Sequence, residues 1–314
     1  MAVTRIELQS CIQRAIDYVY RHARPVDAAE LAFHLGQGST EVVLTLLSSY
    51  QNPDGGFGHA IEPDVRCTCS TVLATTVALQ RMVRVQVNPF HPMVLSAIRY
   101  LVDQYHLPSK NWPLISEEAR AGVCAPWWKA FEPGKPETWS ELNPRAEILS
   151  YFLRFDQSRH GGLNHQAMYD EARRLMLSRL AKEQPLNRAE VQCVARLLRS
   201  PGIDQTIERT CREVLERDLP KMLPRTVEEC RGDVLKPLTI ARRPNSVLAG
   251  LVEGSVTVQH EYEVRTQRPD GSWDVPFDWG GHEPEEWAKA EREWRGMLTM
   301  LTASSLAAYA RFRG

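Results

Sequence analysis

Apolar positions along this chain recur at intervals of three and four residues almost throughout. Ile6, Cys11, Ile12, Ala15, Ile16 and Val19 make one face of a first helix. Pro25 closes that segment, and Asp27 with Glu30 has the D-x-x-E form of a capping box ahead of Leu31. Ser39–Thr40 opens the next run, with Val42, Val43, Leu46 and Leu47 behind it. This run stops at Gln51-Asn52-Pro53-Asp54-Gly55-Gly56, a strong turn signal. A helix starting near Ser70 carries Val72, Leu73, Thr76, Val77 and Leu79; it is apolar almost all round and so expected to be buried. Residues 92–106 are amphipathic, with Val94, Leu95, Ile98, Leu101 and Val102 on one side. The period is then lost over about 107–142, a stretch holding Trp112, Trp127, Trp128 and Trp139, and so many aromatics predict an ordered loop.

Asn143-Pro144 reads as a cap followed by proline at the first helical position, opening a helix through Ile148, Leu149, Phe152 and Leu153. Residues 164–182 give another. Asn187 with Glu190 is a capping box for 187–199, and 203–217 follows. An apolar helix is expected within 236–254, near Val247, Leu248 and Leu251. Residues 255–266 are ambiguous, because Val256, Val258, His260 and Tyr262 alternate as in a strand. A second turn of the first type, Gln267-Arg268-Pro269-Asp270-Gly271-Ser272-Trp273, precedes helices near 284–294 and 298–312. Taken in pairs, these are about six hairpins, and within several pairs one helix is more apolar than its neighbour. That is the pattern of concentric rings, inner helices covered on both sides and outer ones wet on one. The expectation is an all-α chain, a single (α/α)6 toroid over residues 1–314.

Composition narrows the function classes. The chain has 314 residues, with 38 basic and 39 acidic side chains and a formal net charge of −1. Such a balance offers no electrostatic footprint for nucleic acid or an anionic membrane. No run of about 18 apolar residues is present, so no membrane span is expected. The amphipathic N-terminus reads as a mature helix and not as a signal peptide. Seven cysteines at irregular spacing, an odd number, fit reduced thiols in a cytoplasm better than a disulfide framework.

The two turns share Q-x-P-D-G-x-(F/W). This resembles the glutamine–tryptophan repeat of squalene/terpenoid cyclases and of protein prenyltransferase β-subunits, which are α/α toroids. The chain also resembles a bacterial family of prenyltransferase- or cyclase-like proteins, through QNPDGGFGHAIEPD at 51–64, APWW at 125–128, NPRAEI at 143–148 and DGSW…DWGG at 270–281. The turn has a plain physical reading. Gln ends a helix and bonds free backbone groups, Asp-Gly makes the turn with Gly at positive φ, and the aromatic ring packs back onto the helix end. Asp54, Asp270, Phe57 and Trp273 are therefore structural.

The resemblance implies the architecture without the family's acids. A protonating cyclase needs a D-x-D-D acid, and an ionising one needs D-D-x-x-D to hold magnesium and diphosphate; neither is present. Serine-hydrolase elbows and P-loops are absent too. What remains is Glu62-Pro63-Asp64, just before an inner helix, where a carboxylate serves as general acid or base if burial raises its pKa. Asp278, in Asp278-Trp279-Gly280-Gly281, holds the equivalent position in the last pair. The plain alternative is that Asp64 caps and Glu62 pairs with Arg66. His59, Trp127, Trp128, Asn143 and Trp279 are the candidate substrate-binding residues: aromatic faces suit an isoprenoid, a carbocation or a sugar ring. Asn143 reads as a cap before it reads as a ligand, and one of Trp127 and Trp128 is expected to anchor the loop.

No cofactor is assigned. Zinc is the one metal with a partial ligand set, Asp64, Cys67, Cys69 and a distal His282, against the plain reading of Cys67 and Cys69 as packed thiols. The expected partner is an apolar small molecule in a central cavity, turned over by acid–base chemistry. The alternatives are a carbohydrate-active toroid with a carboxylate pair across a polar cleft, and a non-catalytic binding toroid. The oligomeric state is not legible in the sequence.

Overall fold

The computed structural model describes residues 4–130, 141–155, 166–232 and 234–312. Trp139 lies outside them. Described residues form helices and turns, with isolated β-bridges and no strand. No helix among them is long and apolar enough to cross a membrane. The chain divides into two compact units, one of residues 1–46 with 219–314, the other of residues 47–218.

The first unit opens with α1 (Arg5–His22), started by a capping box in which Glu7 N–H donates to Thr4 Oγ1 and Thr4 N–H to Glu7 Oε2. α2 (Pro25–Leu35) departs from expectation. It begins two residues before Asp27, because Pro25 at its first position has φ preset for a helix, and Arg24 takes the cap site without a side-chain bond. Asp27 therefore does not cap. It accepts from Arg24 Nε at 2.9 Å, while Glu30 lies buried 3.6 Å from His34. Gly36, at φ 78°, ends the helix. α3 (Thr40–Leu47) starts where Ser39–Thr40 predicted, and its last residue falls in the second unit.

In the second unit, α4 (Val72–Arg84) and α5 (Pro92–Asp103) form the first hairpin. Two short helices, α6 (Glu117–Ala121) and α7 (Pro126–Lys129), order the described part of the aromatic stretch. There the Trp112 indole N–H donates to Leu101 O at 2.6 Å, and its buried ring meets Tyr105 edge-on. α8 (Arg145–Phe155) and α9 (Gln166–Leu180) follow, then α10 (Arg188–Leu198) and α11 (Gln205–Asp218). α8 begins one residue beyond Pro144, so the proline precedes the helix instead of holding its first position. The expected capping box at Asn187 and Glu190 is present. α4, α8 and α10 pack in succession, as do α9 and α11, so this unit has two helical layers. Burial follows the layers: nine of the eleven residues of α8 are buried, against four of the fifteen of α9. The sequence contrast between wet and dry helices is thus a contrast of layer.

The rest of the first unit holds α12 (Pro237–Ile240), α13 (Ala249–Thr266) and α14 (Pro284–Phe312). Three expectations change here. The helix expected within 236–254 is present as the start of α13 and contains Leu251, but it begins at Ala249, leaving Val247 and Leu248 outside it and Val247 exposed, with the short α12 ahead of Pro244. Residues 255–266 are helical. The buried face of α13 is Val252, Val256, Gln259, His260 and Glu263, so its helical period is carried partly by polar residues. Gln259 Oε1 accepts from Leu238 N–H at 2.8 Å and its amide donates to Glu263 Oε1 at 2.9 Å. Finally, 284–294 and 298–312 are one helix. Gly296 sits inside it because a Cβ there would lie 2.9 Å from that of Ala23. Close packing against the end of α1 thus holds a residue whose propensity alone suggests a break.

Candidate functional site

The two Q-x-P-D-G turns share one geometry. Gln51 Nε2 donates to Gly55 O at 3.0 Å and to Met93 O of α5 at 3.2 Å. Gln267 Nε2 donates to Gly271 O at 2.9 Å and to Cys11 O of α1 at 2.8 Å. Asp54 Oδ1 accepts from Gly56 N–H, as Asp270 Oδ1 does from Ser272 N–H. Gly55 and Gly271 have φ of 88° and 93°. Phe57 and Trp273 are buried, and the Trp273 indole donates to Glu263 O at 2.9 Å. Asp54, Asp270, Phe57 and Trp273 are thus engaged in holding the two turns.

The first turn feeds a tightly folded loop that leads to α4. Phe57 bridges both Gln51 and Thr71, and Thr71 then caps α4 by accepting from Ala74 N–H. His59 and Ala60 follow at φ 54° and 58°. Two successive non-glycine residues in the left-handed region cost of order 1–2 kcal/mol each, and such strain collects at functional sites. His59 is exposed and its Nε2 lies 2.9 Å from Asn52 Oδ1. That imidazole therefore has a structural partner in the turn.

Glu62 and Asp64 come next, 5% and 4% exposed. Glu62 Oε2 accepts from Asp64 N–H at 2.7 Å, which fixes the two carboxylates in one short turn. The segment pairs with the start of APWW: Val65 bridges Cys124, Arg66 N–H donates to Val123 O, and Ala125 N–H donates to Asp64 O at 2.8 Å. Two motifs sixty residues apart in sequence are thereby joined. Pro126 at the first position of α7 sets the helix that places the tryptophans. Trp128 is buried and Trp127 half-buried. The charge of Asp64 reaches the Cys124 thiol, whose pKa burial raises first, with Lys129 and Arg120 opposing.

Asn143, joined by a cis peptide to Pro144, belongs to a second polar group in this unit. Its Oδ1 accepts from the Cys193 thiol at 3.5 Å. At the centre is Glu147 of α8. Its Oε1 accepts from Tyr151 Oη at 2.5 Å and Gln80 Nε2 at 2.8 Å, and its Oε2 from Arg196 Nη1 at 3.0 Å. Glu147 thus links α4, α8 and α10. Burial, and then Glu147, hold the pKa of Tyr151 well above its ordinary value. Burial opposes the charge on Arg196, but Glu147, Cys193 and Tyr151 outweigh it and hold its pKa up. Arg199 is pulled down to about 10 by burial first and then by Arg196 and Arg154. Glu147 accepts from donors on α4, α8 and α10, so this group reads as a polar tie between packed helices. The sequence reading passed over Glu147, although NPRAEI contains it. The available signal was Glu147 and Tyr151 at i and i+4 inside an otherwise apolar helix.

The remaining candidates lie in the other unit. Asp278 is exposed, and its Oδ1 accepts from Gly280 N–H at 2.6 Å. Trp279 is buried against Trp287, centroids 5.6 Å apart. His282 is exposed.

Cys67 and Cys69 correct the expectation of reduced thiols, for they form a disulfide. The other five cysteines are free and buried. In this form neither sulfur can ligate zinc as a thiolate. The partner that the fold supplies to the pair is Glu118 of α6, and not Asp64: one ligand atom from each of Cys67, Cys69 and Glu118 lies within 4.8 Å of the others.

Compared with solved structures, the chain has the all-α fold of type II terpene cyclases, α/α toroids, which is the fold class the sequence predicted. Two of the matching structures are of the type II terpene cyclase MstE from Scytonema. An aspartate-to-alanine variant of it, in complex with merosterolic acid A as product, matches at 14% identity and TM-score 0.54, covering 98% of each chain. An arginine-to-alanine variant, in complex with geranylgeranyl dihydroxybenzoate as substrate, matches at 12% identity and TM-score 0.50, covering 96% of this chain and 98% of that one. At such identity the likeness establishes the fold alone. No protein-family model and no curated protein matches the sequence.

Proposed function

We propose that this protein is a terpenoid cyclase-like enzyme, a single toroid domain acting on an isoprenoid or similarly apolar small molecule by acid–base chemistry. The observation that carries the reading is a buried carboxylate pair, Glu62 and Asp64, held in one turn at the head of inner helix α4, in a chain with a cyclase fold over nearly its whole length. The strained residues His59 and Ala60, immediately before the pair, support the same place.

In this reading one carboxyl group, protonated, delivers its proton to a substrate double bond. The cation so formed loses a proton to a carboxylate at the end of the reaction. Trp127 supplies an aromatic face able to stabilise a cation, Trp128 anchors its helix, and His59 and Asn143 belong to the surrounding wall. The two Q-x-P-D-G turns serve as glutamine–tryptophan-type clamps. Five free thiols and the near-neutral charge favour a cytoplasmic setting.

The test is incubation of the full chain with linear isoprenoids of increasing length, free and as aryl or diphosphate derivatives, with products read by mass spectrometry. Turnover of at least one is expected, falling by two orders of magnitude or more in Glu62→Gln/Asp64→Asn. Undiminished turnover in that folded double variant overturns the assignment of the acids. Turnover of oligosaccharides in place of isoprenoids overturns the substrate class.

A further inference from the structure

Cys67, Cys69 and Glu118 stand apart from the proposed acids in chemistry. The two sulfurs are half-buried and reachable, in the loop between Asp64 and α4. Opposite them, residues 116–123 run alongside, tied by Arg66 N–H to Val123 O and by contact between Cys67 Cβ and the Gly122 position. Ser116 caps α6 by accepting from Ala119 N–H and also lies 4.0 Å from Cys69 Sγ, while Cys69 N–H donates to Cys67 Sγ at 2.9 Å. The scaffold thus holds both sulfurs, orients them with hydrogen bonds and sets a carboxylate beside them.

We propose that this trio is a thiol-gated site for a soft divalent cation, zinc being the natural occupant. Ligands on a tetrahedral zinc, about 2.0–2.3 Å from the metal, are separated from each other by about 3.5–4 Å. Once the Cys67–Cys69 bond is reduced, the two sulfurs move apart by side-chain rotation, and the Glu118 carboxylate already lies within 4.8 Å of both. Two thiolates favour zinc over calcium or magnesium, and water completes the fourth position. Hydrogen bonds from Cys69 N–H and Ser116 supply the outer shell such sulfurs use.

The disulfide closes a loop of sequence separation two. So short a loop gains little from chain entropy, and half-buried sulfurs remain within reach of small thiols. With a small thiol as reductant, two molecules of thiol become one disulfide, and the Cys67–Cys69 bond becomes two thiols. Zinc then displaces two protons as the thiolates bind it. An incoming small-molecule disulfide reverses the sequence: it takes up two electrons and two protons, leaves as two thiols, closes the Cys67–Cys69 bond and releases the cation.

The full-length protein, reduced with a phosphine and desalted, is titrated with cobalt(II) and then with zinc against a chromophoric chelator. One cobalt per chain with a thiolate-to-cobalt charge-transfer band is expected, displaced by one zinc. Oxidised wild type should bind at least tenfold more weakly, and so should Cys67→Ser and Cys69→Ser. Glu118→Gln should keep the band with affinity lowered about tenfold. Reduced and oxidised wild type with equal affinity, or a band that persists in the Cys67→Ser/Cys69→Ser double variant, overturns the proposal. The oxidised wild type needs no substitution, so a variant that fails to fold leaves the comparison intact. Metal binding is read without activity, so a failure of the isoprenoid reading leaves this result unaffected.

Discussion

Replacing Gly271 by alanine tests the geometry of the turn clamp directly. Gly271 has φ 93°, and a Cβ there would stand 2.2 Å from Arg14 O and 2.7 Å from its carbonyl carbon. Carbon contacts are comfortable at about 3.5 Å, so the turn or α1 must move by about 1 Å. The left-handed backbone costs about 1–2 kcal/mol for a residue with a Cβ. Overpacking adds about 1–3 kcal/mol, and retreat of the turn weakens the Gln267 bond to Cys11 O, worth about 1 kcal/mol. The expected loss is therefore about 3–6 kcal/mol. Gly280 provides the control in the same unit: its φ is 60°, but a Cβ there would meet nothing within 4 Å. Gly280→Ala should cost the backbone part alone, about 1–2 kcal/mol. Thermal and urea unfolding, followed by circular dichroism and by tryptophan fluorescence, measure both. Gly55→Ala should match Gly271→Ala, since its Cβ would lie 2.4 Å from Ser96 O, while Gly202→Ala, at φ 69° with open space, should match Gly280→Ala. Losses for Gly271→Ala and Gly280→Ala within about 0.5 kcal/mol of each other would refute the close-approach argument, because strain alone would then explain both.

Alkaline unfolding should follow the buried thiols. Burial raises Cys11 and Cys211 from 9.0 to about 12 and Cys230 to about 11. The folded state therefore holds these protons longer than the unfolded one. Stability from this source is full below about pH 9 and falls, as pH rises from 9 toward 11–12, by up to about 1.4 kcal/mol per pH unit and thiol. Cys211→Ala should lower stability at every pH yet flatten this slope, and an unchanged slope in urea unfolding between about pH 8 and 10.5 would contradict the assignment. Glu147→Ala should cost about 3–5 kcal/mol by stranding Arg196 between α8 and α10, and Arg196→Met in the same chain should recover part of that loss, read as a double-mutant cycle.

Where burial and hydrophobicity coincide, the sequence was an adequate guide. The apolar run of α4, the amphipathic α5, the Asn187 capping box and both Asp-Gly turns are local matters, settled by residues within a few positions of one another. The elements misread are those whose reasons lie elsewhere in the chain. α13 turns a polar stripe, Gln259 and Glu263, inward because Leu238 N–H is there to be satisfied. Gly296 continues α14 because Ala23 occupies the space a side chain would need. Glu62 and Asp64 were legible as acids before an inner helix, whereas their pairing with residues 123–125 was not. Glu118 gave no signal at all, since it meets Cys67 and Cys69 through two loops with no common pattern. Nor does C-x-C spacing distinguish a disulfide from a metal ligand pair, for both require two sulfurs within reach.

The packing of α14 on α1 and α2, with Gln267 tied to Cys11, also sets an order of events during synthesis. α1 ends at His22 and α14 begins at Pro284, so about 260 residues must be made between one partner and the other. At about 5–20 residues per second, α1 waits roughly 13–50 s for its main neighbour. Its apolar stripe is exposed to the ribosome's surroundings throughout that interval. Residues 47–218, which hold Glu62, Asp64 and the three inner helices tied by Glu147, have all their own partners long before then. The unit of residues 47–218 can therefore be finished while the unit built from residues 1–46 and 219–314 still waits to close.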